Sequence, residues 1–287
     1  MLLVELLRIS ALSIPPGEAE LLVLAALADE GEELSRFELH TSAQRDVSSR
    51  LQKRVGEWVR LRIQGVPLQH LTRRQVFLDH EYEVGPEVLI PRPETEVLVT
   101  HAIAELRSLH SAFGPALGWE VGVGSGILSI ELLYHFQNLH MIASEVSTEA
   151  VAVARRNLKK TSIPETRLEI VCPSQPTEVL TPFFKGAPGP DFVISNPPYL
   201  LQGALEATSE VALYEPKEAL YAPQGDPLFF YRRIAREAAV FRGGRFRIFL
   251  ELPHERSAEI AHLFRDSGWE PILYPDLNGR SRVLIAQ

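Results

Sequence analysis

From residue 118 to the C-terminus, short apolar runs alternate with helical patterns, and this alternation limits the fold more than any other feature. Strand-like runs are expected at 118–121, 140–144, 168–172, 192–195, 246–252, 271–274 and 282–286. Helical patterns lie between most of them, notably at 148–160, 227–241 and 255–266. Parallel strands need long crossovers, so repeated strand–helix alternation implies a mostly parallel sheet covered on both faces. The last two runs are joined only by a short loop containing Asp276-Leu277-Asn278-Gly279-Arg280. That is too short for a crossover, so an antiparallel C-terminal hairpin is expected.

The N-terminal stretch has a different period. Leu2, Leu3, Leu6, Leu7 and Ile9 recur at helical spacing before Pro15-Pro16-Gly17 breaks the chain. A second helix is expected from Glu18, and a longer one over 42–63 with Val47, Leu51, Val55, Trp58 and Leu61 as its buried stripe. Alternation then appears at Val76, Leu78, His80, Tyr82 and Val84, and Gly85-Pro86 should turn the chain into Val88-Leu89-Ile90. Pro91-Arg92-Pro93-Glu94-Thr95-Glu96 reads as a helix start, with proline in the first turn and acids near the positive end. The expected organisation is a helical domain at 1–72, a hairpin linker at 73–90 and an α/β domain at 91–287.

Charge narrows the partners. Against 29 Lys and Arg stand 37 Asp and Glu, a net −8 over 287 residues. Proteins that grip a nucleic-acid backbone usually carry a basic excess, so no direct nucleic-acid binding is expected. A single Cys172 excludes an internal disulfide framework and a cysteine-rich zinc site, and it suits a reducing cytosol. No H-x-x-x-H pair occurs among the histidines, and no metal site is expected. Glu5 and Arg8 interrupt the apolar N-terminus where a signal peptide needs an uncharged stretch. The expectation is a cytoplasmic protein with no membrane segment.

Two motifs carry chemistry. In Glu120-Val121-Gly122-Val123-Gly124-Ser125-Gly126, a glycine loop follows the first strand of the α/β domain and precedes a helix. Glycines there let backbone N–H groups approach a ligand closely. Nicotinamide, flavin and S-adenosylmethionine proteins all use such loops, but the dinucleotide pattern G-x-G-x-x-G/A is not met. G-x-G-x-G after an acid is closer to the S-adenosylmethionine loop of class I methyltransferases. Glu145, at the end of the next strand, is placed to accept ribose hydroxyls.

The second motif, Asn196-Pro197-Pro198-Tyr199, directly follows the apolar run Phe192-Val193-Ile194-Ser195. Consecutive prolines stiffen the turn. A stiff turn can hold the Asn196 side-chain oxygen and the Pro197 carbonyl where they accept both hydrogens of a planar –NH2 group. The nitrogen of an amide or aromatic amine is a poor nucleophile, because its lone pair is delocalised. Two fixed acceptors orient it and favour the pyramidalising nitrogen of a methyl-transfer transition state. Tyr199 is expected against the flat face of the substrate, with Pro198 beside it. The competing reading is a structural proline turn capping a buried strand. Both motifs should fall at the carboxyl edge of the sheet, where open α/β sheets bind ligands.

Taken in order along the chain, these segments resemble the release factor glutamine methyltransferase (HemK) family. The resemblance is carried by Ile14-Pro15-Pro16-Gly17-Glu18, Gly65-Val66-Pro67-Leu68-Gln69-His70-Leu71, Leu89-Ile90-Pro91-Arg92-Pro93-Glu94-Thr95-Glu96, the glycine loop, Asn196 to Tyr199, Tyr214-Glu215-Pro216 and the late Glu251. It implies a class I methyltransferase (Rossmann-like) fold: a mostly parallel seven-stranded sheet with an antiparallel C-terminal hairpin, preceded by a small all-α domain. It further implies N5-methylation of the glutamine in the Gly-Gly-Gln motif of peptide chain release factors. S-adenosyl-L-methionine would be the donor and S-adenosyl-L-homocysteine the product. On this reading Gly122, Val123, Gly124, Ser125 and Gly126 cradle the methionine part, with Glu120 and Asn196 alongside, and Glu145 holds the ribose. Asn196, Pro197 and Tyr199 take the target amide, and the helical domain of a monomeric enzyme helps to hold the release factor.

Glu120 and Glu145 are longer acids than the family's usual Asp. In Cys172-Pro173-Ser174-Gln175-Pro176 an expected acid is missing, and Gln175 either bonds adenine or merely occupies a turn. Three alternatives stay open: glutamine methylation of a ribosomal protein, adenine N6-methylation of DNA, and a non-catalytic cofactor-binding protein.

Overall fold

The computed structural model describes residues 1–110, 115–173, 175, 178–180, 189–201, 203 and 211–287. Ser174 and Pro176, which flank Gln175, lie outside the described residues. The chain forms two compact units, one of residues 1–74 with 211–214, the other of the remainder from residue 75.

The first unit is helical: α1 (Leu3–Ala11), α2 (Pro16–Ala28), α3 (Arg36–Thr41), α4 (Ser49–Ile63) and α5 (Leu68–Thr72). Their apolar stripes meet in one core that includes Leu3, Leu22, Leu27, Leu51, Val55 and Trp58. Pro16 opens α2, where its missing N–H costs nothing. The helix expected over 42–63 starts only at Ser49. Ser48 Oγ accepts the Leu51 N–H at 2.9 Å and caps it there. Residues 43–47 pair with the N-terminus instead, through Leu3 N–H to Arg45 O and Val47 N–H to Met1 O.

From the end of the helical unit onward, β1 (Arg74–Phe77) and β2 (His80–Glu83) form a two-stranded hairpin. Its turn falls at Leu78, which adopts φ +50°, and not at Gly85-Pro86. Val88-Leu89-Ile90 is not a strand. Val84 and Val88 pack on Ala150 and Val153, and the Ile90 N–H donates to the Glu215 carboxylate at 2.8 Å. The hairpin is tied down by buried Glu131, which accepts the Tyr82 hydroxyl at 2.6 Å and pairs with His80.

After α6 (Pro93–Leu109) come β3 (Leu117–Val121), α7 (Ile127–His135), β4 (His140–Ser144), α8 (Thr148–Lys159), β5 (Leu168–Val171) and β6 (Phe192–Ser195). They are followed by α9 (Lys217–Leu220), α10 (Phe229–Glu237), β7 (Arg247–Glu251), α11 (Ser257–Asp266), β8 (Pro271–Pro275) and β9 (Ser281–Ala286). Seven strands line up in the order β5-β4-β3-β6-β7-β9-β8, with β9 antiparallel to both its neighbours and the other pairs parallel. Alternate residues serve opposite faces, as strand geometry requires. Phe192 and Ile194 pack towards α6 and α7, while Val193, Ile248 and Leu250 pack towards α10 and α11. The strand order reverses between β3, which passes to β4, and β6, which passes to β7. A crevice at the carboxyl ends of β3 and β6 follows from this topology.

Candidate functional site

Register sets the site. Glu120 pairs with Ile194 across β3 and β6, so the two strands end side by side. One residue on, Ser195 Oγ donates to Val121 O at 2.7 Å, and this brings the Asn196 turn against the glycine loop. The loop is clipped to the end of β4, where Ser144 O accepts the Gly122 and Val123 N–H groups at 3.0 and 2.9 Å. Gly124 and Gly126 take φ +51° and +86°. A Cβ on Gly124 would meet nothing within 4 Å, whereas one on Gly126 would stand 3.1 Å from Ala154 Cβ. Gly124 thus leaves room for a ligand, and Gly126 leaves room for α8.

A cavity of about 370 Å³ opens here, within the ~300–1,000 Å³ usual for small-molecule sites. Glu120, Gly122, Val123, Gly124, Ser125 and Glu145 line it on one side, and Asn196, Pro197 and Pro198 on another. Three expected site residues do not line it. Gly126 is buried beneath the loop as the residue before α7. Gln175 is exposed, and Glu178, three residues on, supplies the wall instead. Tyr199 is half-buried and packs on the apolar cluster around Trp119 and Tyr231. The wall also takes in Val146, Ala150, Thr95 and Glu218. Of these, Ala150 lies in the helical run expected at 148–160, and Thr95 lies in the helix-start segment 91–96.

The acids differ in environment. Glu120 is fully buried, and its Oε2 accepts the Ser129 N–H at 3.1 Å and the Ser129 hydroxyl, both in the first turn of α7. Burial pushes its pKa up to about 8, against the pull of the Ser129 bonds, and neighbouring Glu145 adds to the rise. Glu145 is half-buried. Its Oε2 accepts the Gly124 N–H at 2.9 Å, and its Oε1 accepts those of Val146 and Ser147 at 2.8 and 3.0 Å. Three of a carboxylate's roughly four acceptor positions are therefore in use, so a ribose diol would have to share or displace one.

Asn196 is held from behind. Its Nδ2 donates to Thr95 Oγ1 at 3.3 Å, and Thr95 Oγ1 donates to Glu251 Oε2 at 2.6 Å. Thr95 sits in the first turn of α6, and Glu251 ends β7. Arg92 braces the start of α6 through an ion pair with buried Glu215.

Chemically, the arrangement suits a cationic, nucleoside-like ligand. Five glutamates lie on the wall, and no Lys, Arg or His lines it among the described residues. S-adenosylmethionine, with its sulfonium and ammonium charges, fits that wall, and the open faces of Gly122 and Gly124 let it approach the loop backbone without steric cost. Among the described residues, no group of three or more His, Cys, Asp or Glu could hold a metal ion.

Comparison with known proteins agrees with this geometry. Residues 106–226 match the methyltransferase small domain family. The release factor glutamine methyltransferase of Bacillus subtilis is 31% identical over 271 residues, covering 93% of this chain and 90% of that protein. The protein of the same name from Chlorobaculum tepidum is 31% identical over 255 residues, covering 88% and 84%. A human methyltransferase 10 domain containing protein superposes with a TM-score of 0.53 at 18% identity, covering 72% of this chain and 87% of that one. The last likeness speaks for the fold alone.

Proposed function

The chain belongs to the release factor glutamine methyltransferase family, and on that premise we propose that it transfers a methyl group from S-adenosylmethionine to the side-chain amide nitrogen of the glutamine in a release factor's Gly-Gly-Gln motif. The observation that carries this reading is the placement of Asn196 and Pro197 on the same cavity as the glycine loop. S-adenosylmethionine supplies an activated methyl on a positive sulfur and leaves as S-adenosylhomocysteine. The protein's task is alignment. Gly122 and Gly124, with open space where a Cβ would stand, let the methionine part approach the loop backbone closely, and Glu145 holds the ribose. Asn196 Oδ1 and the Pro197 carbonyl accept the two N–H groups of the target amide, which points its nitrogen lone pair at the methyl. Those acceptors strengthen their hold as the nitrogen gains positive charge, and its proton departs late, to solvent. The helical N-terminal unit helps to hold the release factor. No described helix is long and apolar enough to cross a membrane. The setting proposed is the cytoplasm, with the enzyme acting as a monomer.

The test uses labelled S-adenosylmethionine with a release factor, a ribosomal protein or duplex DNA in separate reactions. Label is expected on the release factor alone, at the Gly-Gly-Gln glutamine. Label on DNA alone would move the assignment to adenine, and label on nothing would sink the enzyme reading. Asn196→Ala should lower transfer by about 100-fold or more, with cofactor affinity held within about threefold. Unchanged turnover would remove Asn196 from its role.

A further inference from the structure

An asparagine amide has two ends of similar size and opposite polarity, so shape alone does not decide which end meets the substrate. At Asn196 the choice matters. Oδ1 facing the cavity accepts an N–H of the target amide, while Nδ2 in that place would repel it. We propose that Glu251, acting through the Thr95 hydroxyl, fixes the Asn196 amide with its oxygen towards the cavity and is a positioning residue for the acceptor amide. This rests on the reading of Asn196 as an acceptor for an –NH2 group.

Donors and acceptors decide which end of the amide faces the cavity. An ionised carboxylate only accepts, and a hydroxyl has one proton to give. Glu251 Oε2 lies 2.6 Å from Thr95 Oγ1 and takes that proton. Thr95 then presents only a lone pair to Asn196, and the end of the amide that can meet it is Nδ2, at 3.3 Å. Thr95 and Glu251 are both buried, so bulk water does not compete for these bonds. Protonation of Glu251 reverses the chain: its O–H donates to Thr95, the Thr95 proton turns to Asn196, and the amide flips.

The sign follows. The ionised form is the productive one. Burial raises the Glu251 pKa to about 7 and Glu94 adds to the rise, while the Thr95 bond, Arg282 and Arg92 oppose it. Tyr199 and Tyr231 also face it, and the Tyr231 hydroxyl is committed to the Glu251 main-chain oxygen at 2.9 Å. Productive orientation is therefore lost as pH falls through about 7.

The test uses the full chain with its methyl donor and a release factor. Thr95→Val should lower kcat about 10- to 100-fold, with cofactor affinity unchanged within about threefold, and Thr95→Ser should restore kcat to within about threefold of the parent. In the parent, kcat should carry an acidic limb near pH 7. Glu251→Gln should flatten that limb, since its amide does not titrate. A limb that persists in Glu251→Gln, or full kcat in Thr95→Val, overturns the relay. A second readout is independent of any acceptor: the side-chain amide resonance of Asn196, assigned by its loss in Asn196→Ala. It should titrate between about pH 5.5 and about 8.5 in the parent and stay flat in Glu251→Gln. A flat parent resonance also overturns the relay. Absence of label on the release factor, with the titration intact, would fail the substrate reading and leave the relay standing.

Discussion

A fully buried carboxyl that is not paired with a cation makes stability depend on pH, and among the described residues Glu120 has no such partner. Its folded pKa is about 8, against an ordinary value of 4.5. Between those values the folded protein holds a proton that the unfolded chain releases, so this residue costs stability as pH rises from about 4.5 to about 8. Above that window the cost levels off. Glu120→Gln keeps an oxygen that can accept from the Ser129 N–H and hydroxyl but carries no charge. Calorimetry of the ligand-free protein should therefore show the Tm of the variant, relative to the parent, rising from about pH 5 to about pH 9. A difference that stays constant over that range would mean that Glu120 does not titrate in the buried site. The same burial keeps Glu120 mostly protonated at neutral pH, so a cationic ligand is not attracted chiefly by this acid.

At the scale of elements, the glycine loop divides into a part that faces the cavity and a part that faces protein. Gly126→Ala would force φ +86° on a residue with a Cβ and push that atom to 3.1 Å from Ala154 Cβ and 3.3 Å from Ala154 Cα. The expected loss is about 1–3 kcal/mol of stability, read as a lower Tm. Gly124→Ala meets open space, so its stability cost should be about 1–2 kcal/mol, from backbone conformation alone. Its methyl group would stand in the cavity, and the affinity for S-adenosylmethionine should fall by about tenfold or more. Equal affinity losses in the two variants would contradict the division. The sequence marked this loop and the Asn196 turn because glycine and proline change the backbone itself, and strand–helix alternation placed both at one sheet edge. It did not reveal what acts through long-range side-chain contact. Asn157 sits on α8, whose Arg155, Arg156 and Lys159 are exposed. Yet its buried amide donates to Ser125 O in the loop and to Glu83 O in the hairpin. Thr95 and Asn196 are likewise 101 positions apart, and no local pattern announces their bond. Gly85-Pro86 misled for a related reason: the hairpin turns at Leu78, and β2 is held by the distant tie between Tyr82 and Glu131 rather than by a turn dipeptide after it.

Over the whole molecule, charge is unevenly spread. Residues 1–74 hold ten basic and ten acidic side chains, so the entire excess of eight acids lies in residues 75–287. Part of it faces the cavity, where Glu87, Glu145, Glu178 and Glu218 lie on the wall beside the mostly protonated Glu120. S-adenosylmethionine carries one net positive charge near neutral pH, and the demethylated product carries none. The wall should attract the donor and be indifferent to the product, which assists exchange after each turnover. Salt tests this directly, because screening weakens attraction between charges and leaves a neutral ligand nearly unaffected. Raising ionic strength from about 0.05 M to about 0.5 M should weaken donor binding by roughly three- to tenfold and product binding by less than about twofold. Titration calorimetry with each ligand measures both. If the two affinities fell in parallel, the acidic wall would not discriminate between them, and selection would have to rest on contacts with the methyl group itself.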